Sequence, residues 1–181
     1  GGVLPMVKHL PGHGRATADS HLALPVVETD RASLEATDFE AFRPLAALPL
    51  GMTAHVVFSA IDPVAPATTS AIMVKEVIRG SIGFKGLLMS DDVSMKALTG
   101  TLADRTRAAV AAGCDIALHC NGDLAEMRQV AEASPILAGE AARRAAAALA
   151  LRMAPQSIDL GEARSRFSSL MGLAATGSAV A

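Results

Sequence analysis

The sequence is poor in aromatic side chains, with five Phe and neither Trp nor Tyr among 181 residues. The aromatic platforms on which nucleic-acid bases stack are therefore almost absent. The 16 Lys and Arg are balanced by 18 Asp and Glu, which leaves a formal net charge of −2 and no excess of basic residues for a polyanion. A nucleic-acid partner would require a basic surface. Both deficits argue against nucleic acid as a partner.

Cysteine is scarce as well, because only Cys114 and Cys120 are present. On a strand, their separation would place them about 20 Å apart, far beyond the reach of a disulfide. We predict two free thiols, as is usual in a reducing compartment. The sequence also lacks a recognisable signal peptide and an apolar run long enough to span a bilayer, so we expect no membrane partner.

An initiator methionine is missing too. The chain begins Gly1-Gly2-Val3-Leu4-Pro5 and enters an apolar, strand-like run at once. We take this as a sign that the chain is the C-terminal part of a longer protein.

Hydrophobic residues make up 51% of the chain and charged residues 19%, which suits a packed globular core. Continuous apolar runs that read as strands alternate with helical patterns. The predicted strands are 3–9, 52–58, 86–90 and 115–120. The predicted helices are 28–48, 68–79, 124–133 and 136–153, with a further, mostly helical stretch over 95–113 that is broken near Gly100. This alternation predicts an α/β fold with parallel strands covered on both faces.

Two α/β architectures fit this order of elements, a doubly wound sheet and part of a (β/α)8 barrel. Four strands in a truncated chain favour the second half of a barrel. We expect residues 1–153 to form that half, and residues 154–181 to be a C-terminal extension that is partly disordered and frays from Gly172.

Polar residues cluster immediately after the predicted strands. They are Lys8-His9, Ser59, Ser90-Asp91-Asp92 and the stretch from Asn121 to Asp123. The carboxyl ends of parallel strands form the catalytic rim in both architectures. We therefore predict an active site at this end of the sheet.

The stretch from Lys8 to His21, at the end of the first strand and in the loop after it, contains three of the five histidines. Within Asp19-Ser20-His21, a carboxylate two residues from an imidazole can fix the ring tautomer and stabilise the imidazolium. The other ring nitrogen could then exchange a proton near neutral pH. Two alternatives remain open at this point. One is a zinc site, and the other is a set of structural hydrogen bonds, with the candidate side chains His9, His13, Asp19 and His21.

The second unusual stretch is Ser90-Asp91-Asp92. Adjacent carboxylates at the end of a buried strand are costly unless they are paired, hydrogen-bonded or functional. On an extended segment the two side chains point in opposite directions, so one can face a pocket while the scaffold holds the other. As alternatives, both could cap a helix that begins near Ser94, or they could bind magnesium, although no phosphate-cradling loop accompanies them.

Taken together, these motifs resemble the bacterial β-N-acetylglucosaminidases of glycoside hydrolase family 3, the NagZ-type enzymes of peptidoglycan recycling. The resemblance covers about residues 3–121 and departs from the family in one place, Leu10, where Phe is more common. The matching segments are Lys8-His9-Leu10-Pro11-Gly12-His13-Gly14, Asp19-Ser20-His21, Met52-Thr53-Ala54-His55-Val56, Gly83-Phe84-Lys85-Gly86 and Ser90-Asp91-Asp92-Val93-Ser94-Met95.

The resemblance implies a (β/α)8 barrel and a retaining exo-β-N-acetylglucosaminidase. Its substrates would be GlcNAc-1,6-anhydro-muramyl peptides, from which it removes terminal N-acetylglucosamine by hydrolysis. Asp91 would be the nucleophile that forms the glycosyl-enzyme, His21 the acid/base, and Asp19 the carboxylate that orients His21.

The resemblance further implies that Lys8 and His9 bind sugar hydroxyls and that Asp92 has a supporting role. We expect no cofactor and no metal, a monomer, and a cytoplasmic location. The remaining sugar contacts of such enzymes belong to the first half of the barrel, which puts the activity of residues 1–181 alone in doubt.

Three other functions stay open. A neutral imidazole would not repel an anionic acceptor, so phosphorolysis is a variant of the same reaction. A metal-dependent α/β hydrolase could use His9, His13 and His21 with Asp91. A sugar-binding remnant would bind N-acetylglucosamine without turnover.

Overall fold

The computed structural model describes residues 2–20 and 22–172. It contains two compact units: Leu4–Leu151 is the larger, and the described residues on either side of it belong to the smaller. The larger unit carries every strand and all but one of the helices described below. The two units are therefore treated separately.

The larger unit is built on a four-stranded parallel sheet with a two-stranded parallel pair beside it. The sheet has the order β1-β3-β5-β6, and the pair is β2-β4. The strands are β1 (Met6–Leu10), β2 (Val26–Val27), β3 (Leu50–Thr53), β4 (Val57–Phe58), β5 (Leu87–Asp92) and β6 (Ile116–Leu118).

The order of the main sheet distinguishes the two predicted architectures. Its strands follow one another across the sheet in chain order, with no reversal and no antiparallel neighbour. A doubly wound sheet reverses its strand order at the point where its ligand crevice forms, whereas a (β/α)8 barrel adds each strand beside the last. The structure therefore confirms the predicted parallel α/β fold and part of a (β/α)8 barrel.

Helical segments connect these strands. Two of them are irregular, a 3-10 helix at Glu40–Leu45 and a π-helical segment at Met73–Ser81. The α-helices are α1 (Arg31–Ala36), α2 (Leu102–Ala112), α3 (Leu124–Ala133) and α4 (Gly139–Ala150), followed by α5 (Leu160–Leu170) in the smaller unit. The predicted bounds of α3 are confirmed residue for residue.

The helix predicted over 28–48 is broken into α1 and the 3-10 helix. Asp30 caps α1, because its Oδ1 accepts a hydrogen bond of 2.9 Å from the Ser33 amide. The Asp38 carboxylate accepts a hydrogen bond of 2.7 Å from Nε of Arg15. Pro44 lies inside the second segment, where it has no amide hydrogen to continue an α-helix.

The predicted strand 52–58 and the predicted helix 95–113 also differ from the structure. The first divides into β3 and β4. The second begins only at Leu102, after a capping box in which Thr101 and Asp104 bond to each other's amide groups. Asp91 and Asp92 therefore do not cap a helix that begins near Ser94, and that alternative is excluded. The helix ends at Gly113 with φ 114°, a backbone conformation that favours glycine.

The main core lies between the sheet and its helices. Phe39 and Phe58 pack edge to face with ring centroids 5.9 Å apart, and burial of such a ring stabilises the fold by about 1.5–3 kcal/mol. Gly51 in β3 leaves room for Phe84, because a Cβ atom there would lie 2.7 Å from Cζ of that ring. Leu34 and Phe39 are fully buried, whereas Leu45 is 41% exposed.

A buried ionic cluster joins three elements at the amino end of β6. Asp115 precedes that strand, and its side chain is only 5% exposed. Its Oδ2 accepts hydrogen bonds of 2.9 Å from Nη2 of Arg79 and from the Leu88 amide, and its Oδ1 accepts one of 2.8 Å from Nη1 of Arg144. One carboxylate thus connects the π-helical segment, β5 and α4.

The smaller unit contains a helix that the sequence analysis did not predict. Asp159 caps α5 by accepting hydrogen bonds from the amides of Gly161 and Glu162. The expected disorder of residues 154–181 stays a prediction, and the expected fraying beyond Gly172 concerns residues outside the described part of the chain. Among residues 2–20 and 22–172, no helix has both the length and the apolar composition needed to cross a bilayer.

Replacing Asp115 with Ala would leave the Arg79 and Arg144 guanidinium groups without their buried anion. We expect the free energy of unfolding to fall by about 3–5 kcal/mol, as measured by urea denaturation. Arg107→Ala is the control, because that side chain is 61% exposed and pairs only on the surface of α2. We expect it to change stability by less than about 1 kcal/mol. Equal losses in the two variants would contradict the assignment of Asp115 as a stabilising centre.

Candidate active site

The predicted residues His9 and Asp91 approach each other at the carboxyl ends of their strands. His9 lies near the end of β1 and Asp91 near the end of β5, with Nε2 of the ring 3.7 Å from Oδ2 of the carboxylate. Strand β3 separates these two strands in the sheet. In a barrel, side chains of alternate strands meet in the interior. Both groups therefore face the inside of the partial barrel.

Burial favours the neutral form of His9. It lowers the pKa of the imidazole, and the nearby charge of Lys8 acts in the same direction. The charge of Asp91 raises the pKa of His9, but it does not compensate for burial. At 3.7 Å, the contact with Asp91 is longer than a direct hydrogen bond. A neutral imidazole can both donate and accept a hydrogen bond.

The adjacent carboxylates have different surroundings, as alternation along an extended chain requires. Asp91 accepts the Asp92 amide at 2.8 Å through Oδ1, while its Oδ2 faces His9. Asp92 is bound into the scaffold. It accepts the hydroxyl of Ser94 at 2.7 Å through Oδ2, and the amides of Ser94 and Cys120 at 2.9 and 3.3 Å through Oδ1. Only the Asp91 carboxylate approaches an interior side chain.

A fully buried histidine holds the backbone beside these carboxylates. His55, which follows β3, lies 2.9 Å from the Asp92 carbonyl through Nε2 and 2.7 Å from the hydroxyl of Thr68 through Nδ1. Burial lowers the pKa of His55, although the Asp92 carbonyl and the charges of Asp91 and Asp92 oppose this shift. A carbonyl only accepts, so Nε2 carries the hydrogen. The Thr68 hydroxyl, which has a single hydrogen, also lies 3.0 Å from the Ala54 carbonyl.

The loop that carries Asp19-Ser20-His21 is attached at two points. Nε2 of His13 lies 3.3 Å from the hydroxyl of Ser20, which is buried. The guanidinium of Arg15 bonds to Asp38 and, at 3.1 Å, to the hydroxyl of Thr37. The backbone carbonyl of Asp19 accepts the amides of Leu22 and Ala23 at 2.9 and 3.0 Å. The middle residue of the predicted segment is thus fixed to the start of its own loop.

The other predicted residues are placed less fully. His21 lies outside the described residues, so its position relative to Asp19 and Asp91 stays a prediction. Lys8 is exposed in β1, next to His9. Within the described part of the chain, no group of three His, Cys, Asp or Glu side chains could hold a metal ion. The zinc alternative also includes His21, which lies outside the described residues.

Both cysteines are free, as predicted. Burial raises the pKa of the Cys114 thiol to about 12. Partial burial and the charges of Asp92 and Asp91 raise the pKa of Cys120. Since the thiolate is the reactive form, neither cysteine is suited to nucleophilic chemistry at neutral pH.

Two further polar side chains near this rim were not singled out from the sequence. His55 belongs to the matching segment Met52-Thr53-Ala54-His55-Val56. A polar side chain inside this apolar run was the feature that could have identified it. His119 follows β6, and its Nε2 lies 2.9 Å from Oε2 of Glu126 in α3. Because this contact joins the strand to its covering helix, we regard His119 as structural.

The parallel sheet runs in sequential order, as in part of a (β/α)8 barrel, and a carboxylate and an imidazole meet at its carboxyl end. The chain belongs to glycosyl hydrolase family 3: the model of its N-terminal domain matches residues 1–152. This membership confirms the resemblance noted from the motifs.

A curated relative from Alkalilimnicola ehrlichii, named beta-hexosaminidase, is 48% identical over 124 residues, which are 66% of this chain and 35% of the relative. The chain thus spans about a third of that protein's length.

Two solved structures are also similar. NagZ from Neisseria gonorrhoeae, in complex with N-trifluoroacetyl-D-glucosamine, is 34% identical with a TM-score of 0.71, covering 94% of this chain and 48% of its own. A family 3 beta-N-acetylglucosaminidase from Paenibacillus sp. strain FPU-7 is 30% identical with a TM-score of 0.72, covering 88% and 34%.

The environment of His55 predicts a pH dependence of stability. Because its pKa in the folded chain is below 6.5, the unfolded chain binds a proton first as the pH falls. Stability should therefore be complete above about pH 7 and should decrease below about pH 6.5, by at most about 1.4 kcal/mol per pH unit for this one proton. In His55→Asn that part of the slope should vanish. Urea denaturation between pH 5 and 8 measures both slopes, and identical slopes would contradict a buried, neutral His55.

Proposed function

We propose that the protein is a retaining β-N-acetylglucosaminidase with Asp91 as its nucleophile. The observation that carries the proposal is the placement of Asp91. Its carboxylate lies near the end of β5, faces the interior beside His9, and is distinguished from Asp92 by its hydrogen bonds. Family membership supports glycoside hydrolysis, and the names of the relatives support a hexosaminide substrate.

In the first step, a carboxylate oxygen of Asp91 would attack the anomeric carbon and form a covalent ester. The bond between that carbon and the glycosidic oxygen would break, and His21 would give its proton to the departing oxygen. In the second step, His21 would take a proton from water, whose oxygen would displace Asp91 from the sugar. Each cycle then regenerates the Asp91 carboxylate and the protonated His21.

Asp19 would hold His21 in the required tautomer and stabilise its charged form. The contact of Ser20 with His13 supports this role, because it fixes the residue between the two members of the pair. A histidine acid differs from the carboxylic acid of most retaining glycosidases, since it becomes neutral when it gives up its proton.

Lys8 and His9 would bind sugar hydroxyls. A neutral His9 suits this task, because it can form hydrogen bonds with a hydroxyl without neutralising the nucleophile beside it. His9 would thereby place the sugar ring against Asp91, and Lys8 would add a cationic donor at the same end of β1.

The substrates we propose are muropeptides with terminal N-acetylglucosamine, in particular GlcNAc-1,6-anhydro-muramyl peptides, acted on by a cytoplasmic monomer. The similarity to NagZ from Neisseria gonorrhoeae supports a GlcNAc-containing substrate, and the free thiols are typical of a reducing compartment.

Comparison of the two neighbouring carboxylates tests the nucleophile. In the complete gene product, we expect Asp91→Asn to lower kcat on an aryl N-acetylglucosaminide by at least about 10⁴-fold, because the nucleophile is lost. Asp92→Asn keeps one acceptor for Ser94 and should lose much less. A fluorinated N-acetylglucosaminyl fluoride should label the peptide that contains Asp91, as read by mass spectrometry. Equal losses in the two variants, or a label on another residue, would refute the assignment.

The role of His21 is tested by varying the leaving group. A dinitrophenyl glycoside departs without a proton, whereas a sugar aglycone requires one. We expect His21→Ala to reduce kcat/KM for a disaccharide by about 10²–10⁴-fold, and to reduce the rate of glycosyl-enzyme formation from the dinitrophenyl substrate far less. The matched control is His119→Ala, which should affect both substrates alike. If His21→Ala also affected both alike, another group would be the acid.

A further inference from the structure

One arginine helps to hold the turn that follows the nucleophile strand, together with the Asp92 carboxylate that binds Ser94. Between Asp92 and Thr101 the chain is neither helix nor strand, so its carbonyls lack the regular hydrogen bonds of those elements, although the Met95 carbonyl also accepts the Leu98 amide at 3.3 Å. Nη1 of Arg105 lies 3.0, 3.4 and 3.2 Å from the carbonyl oxygens of three consecutive residues, which are Val93, Ser94 and Met95. A single guanidinium nitrogen thus contacts three consecutive carbonyls, the first of which lies two residues after Asp91.

The position of Arg105 in its own helix favours a role outside that helix. It lies in the first turn of α2, where the helix dipole disfavours a positive charge. Its Nε donates to the Gly100 carbonyl at 3.1 Å, which also lies before the helix. All four of these contacts are made to the loop between β5 and α2. Arg105 therefore stabilises that loop, although an uncharged or acidic residue would be more favourable at this helix terminus.

The loop is connected to Asp91 through a short and restrained backbone. The Asp92 carbonyl is bound by His55, and the Val93 amide donates to the Leu118 carbonyl at 2.9 Å. The Asp92 amide donates to the Asp91 carboxylate itself. A shift of the turn at Val93 would be passed to the Asp92 peptide group, and from there to the carboxylate that it orients.

We propose that Arg105 is a positioning residue, which sets the direction of the Asp91 carboxylate by holding the carbonyls of residues 93–95. This inference rests on the proposed function, since it assumes that Asp91 is the nucleophile. Arg105 touches no reacting atom. Its loss should slow attack on the anomeric carbon without weakening the binding of the sugar.

The chain offers a matched control on the same helix. Arg107 lies two residues further along α2, and its contact with Asp104 is a surface ion pair of 3.0 Å. Arg107→Gln removes the same charge from the same helix without touching the loop. Arg105→Gln removes the carbonyl contacts, while Arg105→Lys keeps the charge but not the branched donor group.

The test measures the rate of covalent trapping in the complete gene product. A fluorinated N-acetylglucosaminyl fluoride needs no acid for departure, so its maximal trapping rate reports the attack by Asp91. Intact-protein mass spectrometry gives both this rate and the final labelled fraction. We expect Arg105→Gln to slow the maximal rate by about 10²-fold, as a misplacement near 1 Å can do, with the half-saturating concentration within about threefold. Arg105→Lys should be intermediate, and Arg107→Gln should match the parent within about twofold.

A purely structural role would give a different result, namely a smaller labelled fraction and a lower melting temperature with an unchanged trapping rate. That outcome would overturn the inference. If Arg105→Gln does not fold, trapping by Arg105→Lys at the parental rate would overturn it equally.

Added guanidinium at low millimolar concentration should partly restore the rate of Arg105→Gln and leave Arg107→Gln unchanged. If the parent protein acquires no label on Asp91, the proposed function itself fails, and this inference falls with it.

Discussion

Two neighbouring carboxylates at the end of one buried strand are the constraint on which the site depends. Unit charges 4 Å apart repel each other by about 4 kcal/mol at an effective dielectric constant of 20, so such a pair must be separated by orientation and by donors. The extended backbone of β5 turns Asp91 and Asp92 to opposite sides. Asp92 then receives the donors of Ser94 and Cys120, and Asp91 is left facing the interior. The difference between the two residues comes from the strand geometry and its partners, since the side chains are chemically identical.

The two ends of the sheet divide stability and chemistry between them. At the amino end, Asp115 is buried with two arginines in strong and nearly complete hydrogen bonding. At the carboxyl end, the interior-facing pair of His9 and Asp91 is held at 3.7 Å, too far apart for a direct hydrogen bond. Side chains whose donors and acceptors are hydrogen-bonded within the protein stabilise a fold. Side chains that lie close together with free donors or acceptors can form hydrogen bonds with a ligand. This is the arrangement expected of a barrel enzyme, in which the two rims have separate roles.

Much of this fold follows from the sequence, because parallel strands covered on both faces must be apolar throughout. The four main strands, the end of the sheet that carries the site and the bounds of α3 could all be predicted in this way. The positions where caps and proline interrupt a helical pattern were harder to predict. Pro44 and the early cap at Asp30 break one long helical pattern, and the capping box at Thr101 delays α2. The short strands β2 and β4 have only two residues each, which is too short for a periodic signal.

The candidate site could be predicted only as far as its chemical types. Motifs led us to predict Asp91, Asp19 and His21 as the reacting groups, but no local pattern reveals which distant groups restrain Asp91. His55 reaches the Asp92 carbonyl from the segment after β3, and Arg105 reaches the turn from the following helix. Both contacts are made to backbone carbonyls, which every residue possesses, so they leave no mark at the contacted positions. Only the donor residue is unusual in the sequence. A histidine inside an apolar run, or an arginine in the first turn of a helix, is unfavourable for the element that contains it. Such a residue therefore indicates a hydrogen bond to another part of the fold.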